Sequence, residues 1–91
     1  MRILPSPIVA LNHAVAVAMS EGLERGLAQI EQAGASGSLE RYYLFHSARA
    51  DILRRLGRRT ESAEAYAAAL ALATNKVELE YLRERLRQVE T

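Results

Sequence analysis

The sequence predicts an all-α fold, and three observations carry that prediction. Apolar residues recur at helical spacing in five segments of the 91-residue chain. Gly and Pro are few and, Gly26 apart, fall between those segments rather than inside them. Much of the 49% apolar content is Ala, the strongest helix former, which also lets helix axes approach closely. The length fits one domain, and a chain this short buries roughly 60–65% of the surface that its unfolded form exposes, so the core is thin.

The first helix is expected at about 7–20, with Ser6 as N-cap and Pro7 at the first helical position, where its missing N–H costs nothing. Leu11, Val15 and Ala18 share one face, and Ile8, Val9, Ala16 and Met19 widen it. This helix is apolar nearly all round, which implies burial on more than one side. Gly22 breaks the pattern, and the second helix covers about 23–33 with Leu23, Leu27, Ile30 and Ala33 inward. Gly26 inside it costs about 1 kcal/mol relative to Ala, and a close helix–helix approach is the expected compensation. Residues 34–38, GASGS, form a loop. The third helix is expected at 39–56, starting near Ser38. Leu39, Tyr42, Tyr43, His46, Ala50, Leu53 and Leu56 form its stripe, flanked by Phe45 and Ile52, and Gly57 supplies a left-handed C-terminal position. Thr60 is expected to cap a fourth helix at 61–73, with Tyr66, Ala69, Leu70 and Ala73 at i, i+3, i+4, i+7. Asn75, with Glu78 three residues on, opens a fifth helix at 76–89 whose inward set is Val77 or Leu79, then Leu82, Leu86 and Val89.

An internal repeat underlies these elements. Gly22 and Gly57 are 35 residues apart, and the same shift aligns Val15 with Ala50, Ala18 with Leu53 and Ala28 with Ala63. Two helix pairs of this period plus a closing amphipathic helix are a solenoid signature. The second pair resembles a tetratricopeptide (TPR) unit: Ala50 takes the small-residue position, Leu56-Gly57 the turn, and Ser62, Tyr66, Ala69 and Leu70 the second-helix positions. It departs at His46, where an aromatic is usual, and at Thr74, where Pro is usual. The first pair is more degenerate, with Leu27 at the small position and Glu31 at the aromatic one. The fold expected is therefore a TPR-like right-handed superhelix of two helix-turn-helix pairs plus a C-terminal capping helix, one domain over 1–91.

Composition excludes several function classes. Twelve basic and eleven acidic residues leave a net charge of +1, without the positive field of an autonomous nucleic-acid binder. There is no Cys, hence no disulfide, thiolate metal site or thiol nucleophile. The greasiest stretch, residues 8–19, is too short to span a membrane and carries no basic leader or following cleavage site. A soluble cytoplasmic protein with no membrane association and no direct nucleic-acid binding is expected. His13 and His46 are the only histidines, and no HExxH or other ligand spacing joins them, so no metal and no cofactor is expected. The glycine pairs follow no strand and make no phosphate loop. Ser6, Ser38 and Thr60 read as helix caps, not nucleophiles. No acid/base or nucleophile set can be assembled, so the chain is read as non-enzymatic.

The candidate binding residues follow from the solenoid reading, because solenoids bind on the concave face lined by the first helix of each pair. Asn12 offers donor and acceptor to an extended peptide backbone, and Arg49 can grip a carboxylate bidentately. The competing reading of Arg49 is pairing with a local acid; Asp51 is too near in sequence to face it. Arg54, Arg55, Arg58 and Arg59 surround one helix C-terminus. They either offset its negative end and pair with Glu61 or Glu64, or form a docking patch for an acidic partner. Of Tyr42 and Tyr43, one is expected in the core and the other as a groove wall.

A narrower resemblance rests on three segments: SPIVALNHAVAVAMSEGLERGLAQI (6–30), YLFHSARADILRRLGRRTESAEAYAAALALATN (43–75) and ELEYLRERL (78–86). Together they resemble the C-terminal extension of a subgroup of bacterial extracytoplasmic-function (ECF) RNA polymerase sigma factors. There, a TPR-like region follows the two domains that bind polymerase and promoter. His13 stands where that pattern more often has Arg. No sequence that melts a promoter or reads its −35 element is present, so the resemblance implies only an interaction or regulatory role. Its partners would be sigma-factor domains, RNA polymerase or a regulator, met through Asn12, His13, Arg49, Arg54, Arg55 and Arg58. The resemblance also implies a helix that ends before Pro5-Ser6-Pro7 and packs on the first helix. Only Met1-Arg2-Ile3-Leu4 stands there, so the first helix should expose an apolar face and self-associate, as a homodimer. The alternative is a stand-alone TPR-like adaptor or oligomerisation module unrelated to transcription.

Overall fold

The computed structural model describes residues 7–35 and 37–90, which form five helices: α1 (Pro7–Glu21), α2 (Leu23–Ala33), α3 (Tyr43–Arg55), α4 (Arg59–Leu72) and α5 (Lys76–Glu90). No strand occurs among the described residues. The expected Ser6 cap lies outside them. Each helix packs chiefly on its neighbour in sequence: α1 on α2, α3 on α4, and α4 on α5. α2 meets α3 less extensively, and α1 touches α3 more lightly still. The fold measures 48 × 29 × 19 Å, so its short dimension holds two helix layers.

A single residue turns the chain between α1 and α2. Gly22 has φ 117°, a conformation that side chains bearing a Cβ rarely adopt. The two helices then run side by side at very short range. A Cβ on Gly26 would overlap the Ala18 Cβ and lie 2.5 Å from its Cα and 2.8 Å from its backbone nitrogen. The helix-weakening glycine is therefore the condition for backbone-to-backbone contact, as its place inside an apolar stripe suggested. Leu11, Ala14 and Ala18 of α1 close over Leu27 and Ile30 of α2.

The α3–α4 turn is closed by backbone alone. The Gly57 N–H donates to the Arg54 carbonyl at 3.0 Å, and the Arg58 N–H donates to the Leu53 carbonyl at 2.9 Å, with Gly57 at φ 80°. This is a Schellman closure of α3. It moves the start of α4 two residues earlier than Thr60 implies. Arg58 is the N-cap, its carbonyl accepts from the Ser62 N–H at 2.9 Å, and no side chain caps the helix. Thr60 lies inside the first turn, so its expected capping role is not realised. Across the pair, the fully buried Ser62 Oγ donates to the Ala50 carbonyl at 2.9 Å.

α3 also starts later than expected, at Tyr43 instead of residue 39. The N–H of Glu40 donates to the Gly37 carbonyl and that of Tyr42 to the Leu39 carbonyl, so tight i→i+3 turns occupy this stretch. Tyr42 then breaks out at φ −96°, ψ 107° and serves as N-cap. Ser38 therefore does not cap α3. The reason is tertiary: the turn lets Leu39 bury while the chain changes direction. His46 Nε2 lies 2.7 Å from the Glu40 carbonyl and holds the turn to α3. Phe45 packs so tightly on Gly34 that a Cβ there would overlap its ring.

Asn75 opens α5 as its position implies, its Oδ1 accepting from the Glu78 N–H at 2.8 Å. Leu82 and Val89 are buried and Leu86 packs against the core; Leu79 is half-buried, while Val77 is 77% exposed. The inward choice is Leu79. In α1 the expected burial on more than one side is not met, because Val9, Ala16 and Met19 face outward.

Replacing Gly26 by Ala tests the close approach. At an ordinary helix position this substitution stabilises by about 1 kcal/mol. Here it forces α1 and α2 apart and is expected to destabilise by roughly 1–3 kcal/mol, read as a lower midpoint in urea unfolding.

Candidate functional site

α3 stands between two grooves, and its helical period divides its side chains between them. Leu44, Ser47, Ala48 and Asp51 recur at i, i+3, i+4, i+7 and face α1. With Leu11, Asn12 and Val15 they line a groove of about 210 Å³. Arg49 points elsewhere. With Glu24, Leu27, Ala28 and Glu31 of α2, and with Arg58 and Glu61, it lines a larger open groove of about 370 Å³. Asn12 and Arg49, paired by sequence reasoning as one concave surface, therefore lie in different grooves. The residues that accompany Asn12 are Leu44, Ser47 and Asp51, which that reasoning passed over. Their spacing was the available signal; it was masked by the stronger core stripe on the same helix.

Arg49 has a partner already. Its Nε donates to Glu31 Oε1 across the α2–α3 junction. The carboxylate that it grips is its own chain's, and Glu31 holds the repeat position that Tyr66 holds in the second pair. Arg58 forms a two-pronged pair with Glu61, both bonds 2.8 Å long, and this holds the Glu61 carboxyl below its usual range. Arg54 turns toward the core side, and its Nε donates to the Tyr66 hydroxyl at 3.2 Å. Arg55 is exposed. Arg54 and Arg58 are thus engaged in separate contacts. His13 is exposed in a shallow groove with Ala10, Gln29, Gln32 and Ala33, on the opposite flank of α1 from the Asn12 groove.

The densest polar constellation lies where α3, α4 and α5 meet. The Tyr66 hydroxyl donates to Asp51 Oδ1, and the Tyr81 hydroxyl donates to the same carboxylate at 3.3 Å from Oδ2. The Arg54 guanidinium stands 3.9 Å from Asp51 Oδ1, and Arg85 lies over the Tyr81 ring at 5.2 Å. Burial, and after it the Asp51 hydrogen bond, pushes the Tyr66 phenol up to about 12, with Arg54 pulling the other way. Tyr43 is also raised, by burial first and then by Glu78, Tyr81 and Asp51 nearby. Tyr42 and Tyr43 are both half-buried against the core. Asp51 thus forms one end of the α1–α3 groove and also anchors α5.

Chemically, the α1–α3 groove offers an amide, a hydroxyl and a carboxylate among apolar walls. That suits contact with a peptide segment, through main-chain hydrogen bonds and small apolar side chains. No group of three or more His, Asp or Glu side chains suited to a metal ion occurs among the described residues. Nor is any described helix long and apolar enough to cross a membrane.

The chain matches no protein-family profile and no solved structure. It is similar to an uncharacterised protein of Rhizobium meliloti (strain 1021), 45% identical over 85 residues. The match covers 93% of this chain and 20% of that protein, so the chain spans about a fifth of the relative's length.

The Tyr66–Asp51 contact sets a pH dependence. Tyr66 is native as the neutral phenol, and its folded-state pKa is raised above the ordinary 10.0. Its contribution is complete below pH 10.0 and is lost as pH rises from there toward about 12. Urea unfolding at stepped alkaline pH should show stability falling through that window. Tyr66→Phe should lower stability at neutral pH by about 1–2 kcal/mol, because Asp51 loses a donor, and should flatten the alkaline fall.

Proposed function

We propose that this chain is a non-enzymatic, TPR-like protein-interaction domain, the C-terminal part of an ECF sigma factor, which adjusts transcription initiation by contact. The observation that carries the interaction reading is the groove shared by α1 and α3, the first helices of the two hairpins. Its walls come from both hairpins, so a segment lying in it senses how they are stacked. Asn12, Ser47 and Asp51 supply the polar contacts; Leu44, 45% exposed, and Val15 supply the apolar ones. The sigma-factor reading rests on the resemblance of residues 6–30, 43–75 and 78–86. A longer relative of which this stretch is about a fifth is compatible with it. In this reading the repeats form a right-handed superhelix, and the domain works in the cytoplasm. The exposed face of α1 favours a second role, as an oligomerisation surface.

Retention assays with RNA polymerase core and with isolated sigma-factor domains test the proposal. The chain should be retained at moderate salt. The double substitution Asn12→Ala, Leu44→Glu should weaken retention about 10-fold or more, because a charge is placed in the middle of a desolvated contact. The thermal midpoint should hold, since both side chains are exposed. Absence of retention on every one of these partners overturns the transcription reading. Retention that ignores the double substitution removes the groove from it.

A further inference from the structure

We infer that the α1–α3 groove takes an extended segment of a partner protein through a lysine, whose ammonium meets Asp51, and an apolar side chain that rests between Val15 and Leu44. This occupant presupposes the peptide groove proposed above. Of the seven residues that line the groove, Asp51 is the one with an ionisable side chain, and it is an acid. The groove across α2, α3 and α4 differs, because Arg49 and Arg58 stand in it and each is already paired with an acid, Glu31 or Glu61. A complement to the α1–α3 groove is therefore apolar along most of its length and cationic at one end. Phosphate-bearing ligands meet the wrong charge there. The volume of about 210 Å³ also falls below the roughly 300–1,000 Å³ of small-molecule pockets and suits one or two side chains of a longer segment.

The bonds that Asp51 already makes select lysine. Its side chain is 31% exposed. Oδ1 accepts from the Tyr66 hydroxyl and has the Arg54 guanidinium at 3.9 Å. Oδ2 accepts from the Tyr81 hydroxyl at 3.3 Å, a long bond between two oxygens, and a carboxylate oxygen can accept twice. An arginine fork needs both oxygens, whereas an ammonium needs one. Arg54 and Arg85 stand near but do not line the groove; the Arg54 Nε donates to the Tyr66 hydroxyl, and the Arg85 Nη1 donates to Gln88 Oε1. Glu78 of α5 adds a second carboxylate to this corner: after burial, it and Asp51 raise the Tyr43 phenol. Spacing sets the motif. Leu44 and Asp51 are seven residues apart on α3, about 10.5 Å along the helix, which three residues of an extended chain cover. Ser47 on α3 and Asn12 on α1 face the main chain between them. The occupant thus reads apolar, two small residues, lysine.

Nitrogen–proton correlation spectra of the chain, titrated with the blocked hexapeptide ALAAKA and with versions carrying Glu or Arg in place of its Lys, test this occupant. The lysine peptide should shift the amides of residues 11–15 and 44–51, with half-saturation on the order of 1 mM. The glutamate peptide should bind about 5-fold or more weakly, and the arginine peptide no tighter than the lysine one. Asp51→Asn keeps an acceptor for Tyr66 and should bring the lysine and glutamate peptides within about 2-fold of each other. Raising salt from roughly 20 to 500 mM on the unaltered protein should shrink the same preference, and this arm decides the matter if the variant does not fold. Equal binding of the lysine and glutamate peptides at low salt overturns the lysine contact and leaves the groove standing. A preference that survives in folded Asp51→Asn or at high salt, tighter binding of the arginine peptide, or shifts confined to other surfaces overturns it too. Retention of Asn12→Ala, Leu44→Glu on polymerase and sigma-factor domains is read without these peptides, so the two proposals fail separately.

Discussion

The hydroxyl of Tyr66 must find a partner, and much of the architecture follows from how it does so. Tyr66 is the largest fully buried side chain among the described residues. A phenol taken out of water without a hydrogen bond would cost several kcal/mol in principle, so its burial requires an acceptor at the junction. Asp51 is that acceptor, and it brings its own requirement, because a half-buried carboxylate needs donors and a counter-charge. Tyr66, Tyr81 and Arg54 meet it. Three helices are thereby held in one register: α3 contributes Asp51 and Arg54, α4 Tyr66, and α5 Tyr81. Leu53 and Leu82, both fully buried, contribute non-directional apolar burial, and the hydrogen bonds add direction to it.

The other hairpin is held by a different device. Among the described residues no buried polar side chain takes part between α1 and α2; Ala18 and Gly26 let the backbones touch, and dispersion over the close contact holds the pair. The two hairpins then meet along a thinner seam, made by Phe45 on Gly34 and by the Glu31–Arg49 pair. A half-exposed ion pair contributes modestly to stability, so its effect at this seam is chiefly orientation. This division of labour leaves the α1–α3 groove at the junction of two hairpins that meet each other less extensively than the helices within each hairpin meet.

Much of this was legible in the sequence wherever the cause is local. Gly57 had to adopt positive φ because it follows an apolar-periodic segment and precedes another, and only Gly does so without strain. Asn75 with Glu78 read correctly as a start signal, since the bond joins residues three apart. Gly26 read correctly as a close approach, because close packing offsets the helix-weakening effect of a glycine inside an apolar stripe. The candidate site was less legible. Arg49 was attractive as an open guanidinium, yet its partner Glu31 lies 18 residues away on another helix. The arginine corner looked like one patch in sequence, but helical geometry turned Arg54 inward and gave Arg58 to Glu61. Thr60 and Ser38 carried the right chemistry for caps, but the Schellman closure and the 37–42 turn had already set where the helices begin.

The amino-acid order by itself determined that there are five helices, the glycine breaks at Gly22 and Gly57, the Asn75 start of the fifth and the poverty of charge on the first, because these depend on spacings of one to four residues that a helix makes into neighbours. Only the tertiary structure decided which acid Arg49 holds, which residues share a groove with Asn12, and why Asp51 faces both a groove and two tyrosines. Those pairings join residues 15 to 30 or more positions apart, and their choice among competing partners is made by the rotation and depth at which whole helices pack.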